Sequence, residues 1–131
     1  MLYYRYMLDK KHRLKKMKDW DILFTDGRFV SGQYITLKFW KIDVSVYPRR
    51  AYDIDDLRVG FAVGKKVHKS AVKRNRVKRQ MREIVRLLLK DDRIKQGFFL
   101  GFIAKVSILE KDYVDIERDV LALLRKAGLL I

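Results

Sequence analysis

The sequence contains no cysteine, and its two histidines, His12 and His68, lie far apart. The absence of cysteine excludes disulfide bonds and thiolate zinc sites, and two distant histidines argue against a histidine-based metal site. We expect both histidines to be ordinary residues of a basic surface. There is also no Gly-x-Ser-x-Gly motif, so the sequence predicts no catalytic residue in the protein and no metal held by it.

Long hydrophobic runs are missing as well. None approaches the roughly 20 apolar residues needed to cross a bilayer, and the stretch MLYYRYMLDKKHRLKK lacks the apolar core of a secretory signal. We therefore expect a cytoplasmic protein with no membrane partner. The chain has 131 residues, 49% of them hydrophobic, which predicts a single domain over residues 1–131. Residues 1–10 are expected to form a flexible extension.

Acidic residues are scarce relative to basic ones. The 16 Asp and Glu stand against 31 Lys and Arg, which gives a net charge of +15. Such a charge attracts polyanions, whether nucleic acid, an anionic membrane surface or an acidic protein. The stretch GKKVHKSAVKRNRVKRQMREIVR, residues 64–86, holds ten basic residues and one acid, Glu83. That concentration indicates one binding face.

The periodicity of the same stretch predicts a helix. Its apolar residues form one stripe at 100° per residue: Val77, Met81, Ile84, Val85 and Leu88. Polar residues occupy the opposite side and its flanks: Arg74, Asn75, Arg76, Lys78, Arg79, Arg82 and Arg86. Repulsion between like charges four residues apart would be relieved by a bound polyanion, and arginine binds phosphate bidentately. The single acid argues against a merely solvated face, and the absence of a Trp or Phe anchor argues against a membrane-surface helix.

The rest of the chain predicts a mixed α and β pattern. A short helix is expected over residues 18–25, with Trp20, Leu23 and Phe24 clustered, Ile22 on another face and Gly27 at its end. Alternation predicts a strand over residues 30–40, which the segment up to the turn at Pro48 is expected to extend or pair with. Further strands are expected in LRVGFAVGKK and GFFLGFIAK, and a last helix over residues 112–128.

Two other patterns give weaker evidence for a ligand site. The stretch GFAVGKK is not a phosphate-binding P-loop, because three residues rather than four separate Gly60 from Gly64. The acidic residues Asp53, Asp55 and Asp56 fit a solvated turn better than a cation site. The strand face of Arg58, Gly60, Ala62 and Gly64 is nearly bare beyond Arg58, and glycine in a strand is typical of close approach by a ligand or another backbone.

The stretch LRVGFAVGKKVHKSAVKRNRVKRQMREIVR resembles the signature of the bacterial ribonuclease P protein subunit family. In that family a strand ending in Lys-Lys leads into a helix that carries Arg-Asn-Arg, then Lys-Arg, then Arg-Glu. The matching residues here are Arg74, Asn75, Arg76, Lys78, Arg79, Arg82 and Glu83. The resemblance runs from HRLKKMKDWDILFTDGRFVSGQYITL to GFIAKVSILEKDYVDIERDVLALLRKAGLL, and residues 1–10 and 41–56 depart from it.

The resemblance implies an α+β fold of three helices on a four-stranded sheet, in the order αβββαβα, with an unusual left-handed βαβ crossover also found in a ribosomal protein domain. It implies an accessory subunit of an endoribonuclease whose catalytic centre is an RNA. That RNA would use Mg²⁺ to remove the 5′ leader of precursor tRNA, and the protein itself would bind no cofactor and no small-molecule substrate. The expected partners are the catalytic RNA and precursor tRNA.

Two sets of contact residues follow from the resemblance. The residues expected to bind the catalytic RNA are Lys65, Lys66, Arg74, Asn75, Arg76, Lys78, Arg79, Arg82 and Arg86. Those expected to bind the leader are Trp20, Phe24, Lys38, Arg58 and Lys105. Periodicity alone favours core positions for Trp20 and Phe24, whereas the resemblance favours stacking on unpaired bases. Lys38 stands where many relatives have an aromatic residue, so a phosphate contact is expected there. The alternatives are a general RNA-binding or ribosomal-type module and, more remotely, a protein nuclease.

Overall fold

The computed structural model describes residues 8–131, and the expected flexible extension lies mostly outside them. Within this range the helices are α1 (Met17–Asp26), α2 (Ala71–Lys90) and α3 (Tyr113–Lys126). The strands are β1 (Arg28–Ser31), β2 (Ile35–Lys41), β3 (Leu57–Ala62) and β4 (Phe98–Ala104). This is the α+β fold in the order αβββαβα that the resemblance implied. Leu8 is already buried, and a short 3₁₀ helix begins at Lys10.

The four strands form one mixed sheet in the order β1-β2-β4-β3. The β1/β2 and β2/β4 pairs are antiparallel, whereas β3 and β4 are parallel and are joined by the crossover through α2. The left hand of that crossover stays a prediction. Since successive side chains point to opposite faces of a strand, each face of the sheet packs against different helices.

The larger core lies between one face of the sheet and helices α2 and α3. The five stripe residues predicted for α2 are all buried, which confirms the core-facing side of that helix. Helix α3 buries Ile116, Val120, Leu123 and Leu124 against the same core. Asp112 caps it by accepting a hydrogen bond from the Asp115 N–H. At its other end Gly128 has φ +75°, a left-handed conformation that favours glycine.

Helix α1 lies on the other face and belongs to a smaller apolar cluster, whose buried members are Leu14, Ile22, Leu23, Trp40, Ile42 and Phe99. Ile22, predicted on another face of α1 from Leu23, is also buried, at only 2% exposed. The reason is that α1 is covered on two sides. The sheet packs against one side, and residues 42–56 fold over the other with Tyr47 and Tyr52 against the cluster.

Residues 42–56 neither extend β2 nor pair with it, so the strand expected in the segment before Pro48 is wrong. They form turns and a 3₁₀ helix, Pro48–Arg50, that close over α1. The Tyr52 hydroxyl donates a hydrogen bond to the carboxylate of Asp19, which is 1% exposed. Burial and this carboxylate raise the pKa of Tyr52, so its hydroxyl stays protonated and remains a donor at neutral pH. A buried carboxylate thereby keeps a hydrogen-bond partner.

The strand predicted over residues 30–40 is two strands, because the chain reverses between β1 and β2. The reversal is fixed by α3, since the carboxylate of Asp119 accepts hydrogen bonds from the backbone N–H groups of Gln33 and Tyr34 at 3.0 and 2.9 Å. A side chain at Gly32 would collide with that carboxylate. The hairpin thus depends on a contact 85 residues away in sequence.

Candidate RNA-binding surfaces

Helix α2 is positioned so that its charge faces outward. Ser70 caps its first turn by accepting a hydrogen bond from the Lys73 N–H, and the buried stripe fixes the helix rotation. Lys65 and Lys66, in the turn after β3, are exposed. The exposed residues of the helix include Asn75, Arg76 and Arg79, and those half-buried include Lys78, Arg82 and Arg86. The basic surface, meaning these eight residues together, is presented by one rigid helix and the turn that leads into it.

Arg74 and Arg86, both predicted contact residues, hold other parts of the protein in place. The Arg74 guanidinium donates hydrogen bonds to the carbonyl oxygens of His68 and Lys69, both at 2.9 Å. It therefore holds the loop before α2 against the helix, and the same loop is held by the Ser70 N–H, which donates to His68 Nδ1. Arg86 forms a bidentate salt bridge with Glu83, with a shortest distance of 2.8 Å. A structural role for Arg74 and His68 was not foreseen, because nothing in the local pattern reveals which carbonyl an arginine reaches.

A second candidate surface lies where α1 crosses the sheet. Trp20 packs directly over Gly60 of β3 and, with Leu23, over Gly101 of β4. A Cβ at Gly60 would lie 2.3 Å from the Trp20 ring and one at Gly101 would lie 2.7 Å from Leu23, so neither glycine leaves room for a side chain. The bare strand face predicted from the sequence is thus filled at Gly60 by α1. At Gly64, beyond the strand, no atom lies within 4 Å of an added Cβ.

Trp20, Phe24 and Lys38 lie together at the edge of this packing. The Trp20 and Phe24 rings stack with centroids 5.9 Å apart and an interplanar angle of 25°. Trp20 is half-buried, whereas Phe24 is 52% exposed. The Lys38 ammonium lies 4.8 Å from the centroid of the Phe24 ring, within the range of a cation–π contact. The structure thus brings together an exposed ring and a cation, the groups that contact single-stranded nucleic acid.

Arg58 and Lys105, the other two predicted leader contacts, are held by neighbouring groups. Arg58 forms a salt bridge with Asp56 at 3.3 Å. The Lys105 ammonium donates hydrogen bonds to the Ser31 hydroxyl and the Gly32 carbonyl oxygen. Lys105 therefore stabilises the β1–β2 reversal, and it could meet a phosphate only by exchanging these contacts.

Neither a metal centre nor a membrane span is found in the described part of the chain. No group of three or more His, Asp or Glu among residues 8–131 is arranged to hold a metal ion. Asp53, from the acidic turn, instead accepts a hydrogen bond from the Asp55 N–H. Each helix in the same range is too short or too polar to cross a bilayer.

Comparison with known proteins agrees with this arrangement. A sequence model of the family described as Ribonuclease P matches residues 8–128. The chain is 38% identical to the ribonuclease P protein component of a Synechococcus species, over 95% of this chain and 88% of that protein. It is also 38% identical to the ribonuclease P protein component of Clostridium botulinum strain Loch Maree, over 92% of this chain and 97% of that protein.

Solved structures show the same fold. The RNase P protein from Thermotoga maritima, in complex with 1-(4-fluorophenyl)-2-thiourea, has a TM-score of 0.69 and 26% identity, covering 87% of this chain and 98% of that one. A Staphylococcus aureus RNase P protein mutant with defective mRNA degradation activity has a TM-score of 0.78 and 23% identity, covering 98% of both chains. The chain therefore belongs to the ribonuclease P protein family, as a protein component of the ribonucleoprotein that processes tRNA.

Proposed function

We propose that this chain is the accessory protein of a ribonuclease P in which an RNA carries the catalytic centre, and that it contacts two RNA molecules through two surfaces. The basic surface of α2 docks on the catalytic RNA. The surface formed by α1 and the sheet holds the single-stranded 5′ leader of precursor tRNA. The Mg²⁺ needed for hydrolysis is bound by the RNA rather than by this chain.

The observation that carries the proposal is the placement of these surfaces on separate helices. Helix α2 packs on one face of the sheet through its apolar stripe, so its arginines face away from the core. Helix α1 packs on the opposite face and leaves the Phe24 ring exposed beside Lys38. The two surfaces differ in chemistry. The basic surface of α2 suits the phosphates of a folded RNA, and the aromatic surface of α1 suits unpaired bases.

Residues of α2 supply charge rather than chemistry in this proposal. Phosphates of the catalytic RNA neutralise the repulsion among the clustered basic side chains, and the salt bridge between Glu83 and Arg86 fixes one arginine in the array. Binding of this kind releases counterions, so the affinity should fall steeply as salt concentration rises. A general RNA-binding module would share this behaviour but would not distinguish precursor from mature tRNA.

The test is reconstitution with a bacterial ribonuclease P RNA at a low Mg²⁺ concentration at which the RNA alone cleaves precursor tRNA slowly. We expect the full-length protein to raise the cleavage rate, and to bind precursor tRNA more tightly than mature tRNA within the complex. Protein incubated with precursor tRNA without the RNA is the control. Cleavage in that control would identify a protein nuclease, and failure to stimulate the RNA would contradict the proposal.

A further inference from the structure

Phe29 is a large apolar residue to which the surfaces described above give no role. It lies in β1, at the edge of the sheet, and is 65% exposed. In the β1/β2 register Phe29 pairs with Lys38, so both side chains project from the face of the sheet that α1 crosses. Sequence reasoning missed this residue because the predicted strand began at residue 30 and the register between the two strands could not be known.

Lys38 lies between two exposed rings. Its ammonium is 4.8 Å from the centroid of the Phe24 ring and 5.8 Å from that of Phe29. Lys38 forms no salt bridge with any of residues 8–131. Since Phe24 also stacks on Trp20, the four side chains form a continuous series, which we name the ring–lysine row: Trp20, Phe24, Lys38 and Phe29.

The composition of this row decides what fits it. A second copy of the chain would bring Lys38 against an identical cation and a net charge of +15 against +15, which opposes self-association through this face. An apolar protein partner would bury the ammonium, at a cost in desolvation. A single-stranded nucleic acid satisfies all the groups, because bases stack on the rings while a phosphate between them meets the cation.

We propose that Phe29 is a further base-stacking residue, which extends the leader-binding surface from α1 across Lys38 to the edge strand β1. Lys38 then contacts the phosphate that lies between the base on Phe24 and the base on Phe29. The ligand is a single-stranded polynucleotide of any sequence, since every base presents a face that can stack. This inference rests on the proposed function and assigns a path to the leader on the protein surface.

The experiment measures binding of precursor tRNA and of leaderless mature tRNA to the complex reconstituted with the catalytic RNA. Phe29→Ala and Phe29→Leu should each weaken precursor binding about fivefold or more, the low end of one base stack, and leave mature tRNA binding unchanged. Phe29→Tyr should retain wild-type affinity because it keeps the ring. Val114→Ala is the matched control, since Val114 is an apolar residue of α3 that is 55% exposed.

The outcomes separate this inference from the function on which it rests. If the wild type does not prefer precursor tRNA, the leader-binding function fails and Phe29 fails with it. If the wild type prefers precursor tRNA and Phe24→Ala weakens that preference while Phe29→Ala does not, the inference alone is overturned. Retained affinity in Phe29→Leu would indicate apolar packing rather than stacking. If Phe29→Ala changed the sedimentation of the free protein, the residue would be assigned to contact between copies. Either this result or retained affinity in Phe29→Leu overturns the inference.

Discussion

At the scale of single residues, Phe24 and Leu23 are neighbours in α1 with opposite environments. Phe24 is 52% exposed, whereas Leu23 is fully buried against the sheet. Phe24→Ala should lower affinity for precursor tRNA by about 1 to 3 kcal/mol, the range of one base stack, with little change in melting temperature. Leu23→Ala should instead cost about 2 to 5 kcal/mol of folding stability, because it leaves a cavity.

The measurement pairs thermal unfolding with binding of precursor and mature tRNA for both variants. A large loss of stability in Phe24→Ala, without a selective loss of precursor binding, would show that the ring serves the core. That result would also remove the basis for a leader contact on α1.

At the scale of secondary-structure elements, the seating of α1 depends on a glycine in the sheet. Gly60 lies under the Trp20 ring, and an added Cβ would lie 2.3 Å from it, so Gly60→Ala must displace the ring or the helix that carries it. We expect a loss of about 1 to 3 kcal/mol in the free energy of unfolding, the usual range for overpacking. Gly64→Ala is the matched control, because no atom lies within 4 Å of its added Cβ. Equal stability of the two variants in denaturant unfolding would contradict this packing.

The basic face of α2 gives a second prediction for an element. Arg79→Ala combined with Arg82→Ala should weaken binding to the catalytic RNA and leave stability nearly unchanged, because the buried stripe of α2 remains intact. The salt dependence should also become shallower, by about 0.7 to 0.9 in the log–log slope for each phosphate that the variant no longer neutralises.

The control for this prediction removes the same charge elsewhere. Arg125→Ala combined with Lys126→Ala changes two exposed basic residues in the last turn of α3. If this double variant weakened RNA binding as much as the α2 variant, net charge rather than the α2 face would account for the affinity.

The predictability of each element follows from the range of the interactions that fix it. Helices α2 and α3 could be predicted because their apolar stripes are local patterns. The reversal between β1 and β2 could not be predicted, because Asp119 fixes it from α3. Candidate site residues divide in the same way. The outward face of α2 is a matter of periodicity, whereas the partner of Lys38 across the strand pair depends on register.

At the scale of the whole molecule, the sheet separates two surfaces of different chemistry. Helix α2 and its arginines lie on one face, and α1 with Phe24 lies on the other. Long-range attraction by the net charge of +15 brings RNA to the protein generally, but it does not distinguish one RNA from another. In the proposed function the distinction comes from which surface each RNA contacts, so variants of the two surfaces should regain activity under different conditions.

The measurement that tests this most directly is a titration of cleavage activity in the reconstituted complex at low Mg²⁺. The α2 double variant, Arg79→Ala with Arg82→Ala, should recover wild-type cleavage when protein concentration is raised, because its defect is in assembly with the catalytic RNA. Phe24→Ala should recover only when precursor tRNA concentration is raised, because its defect is in holding the substrate. Recovery of both variants under the same condition would contradict the assignment of two surfaces to two RNA molecules.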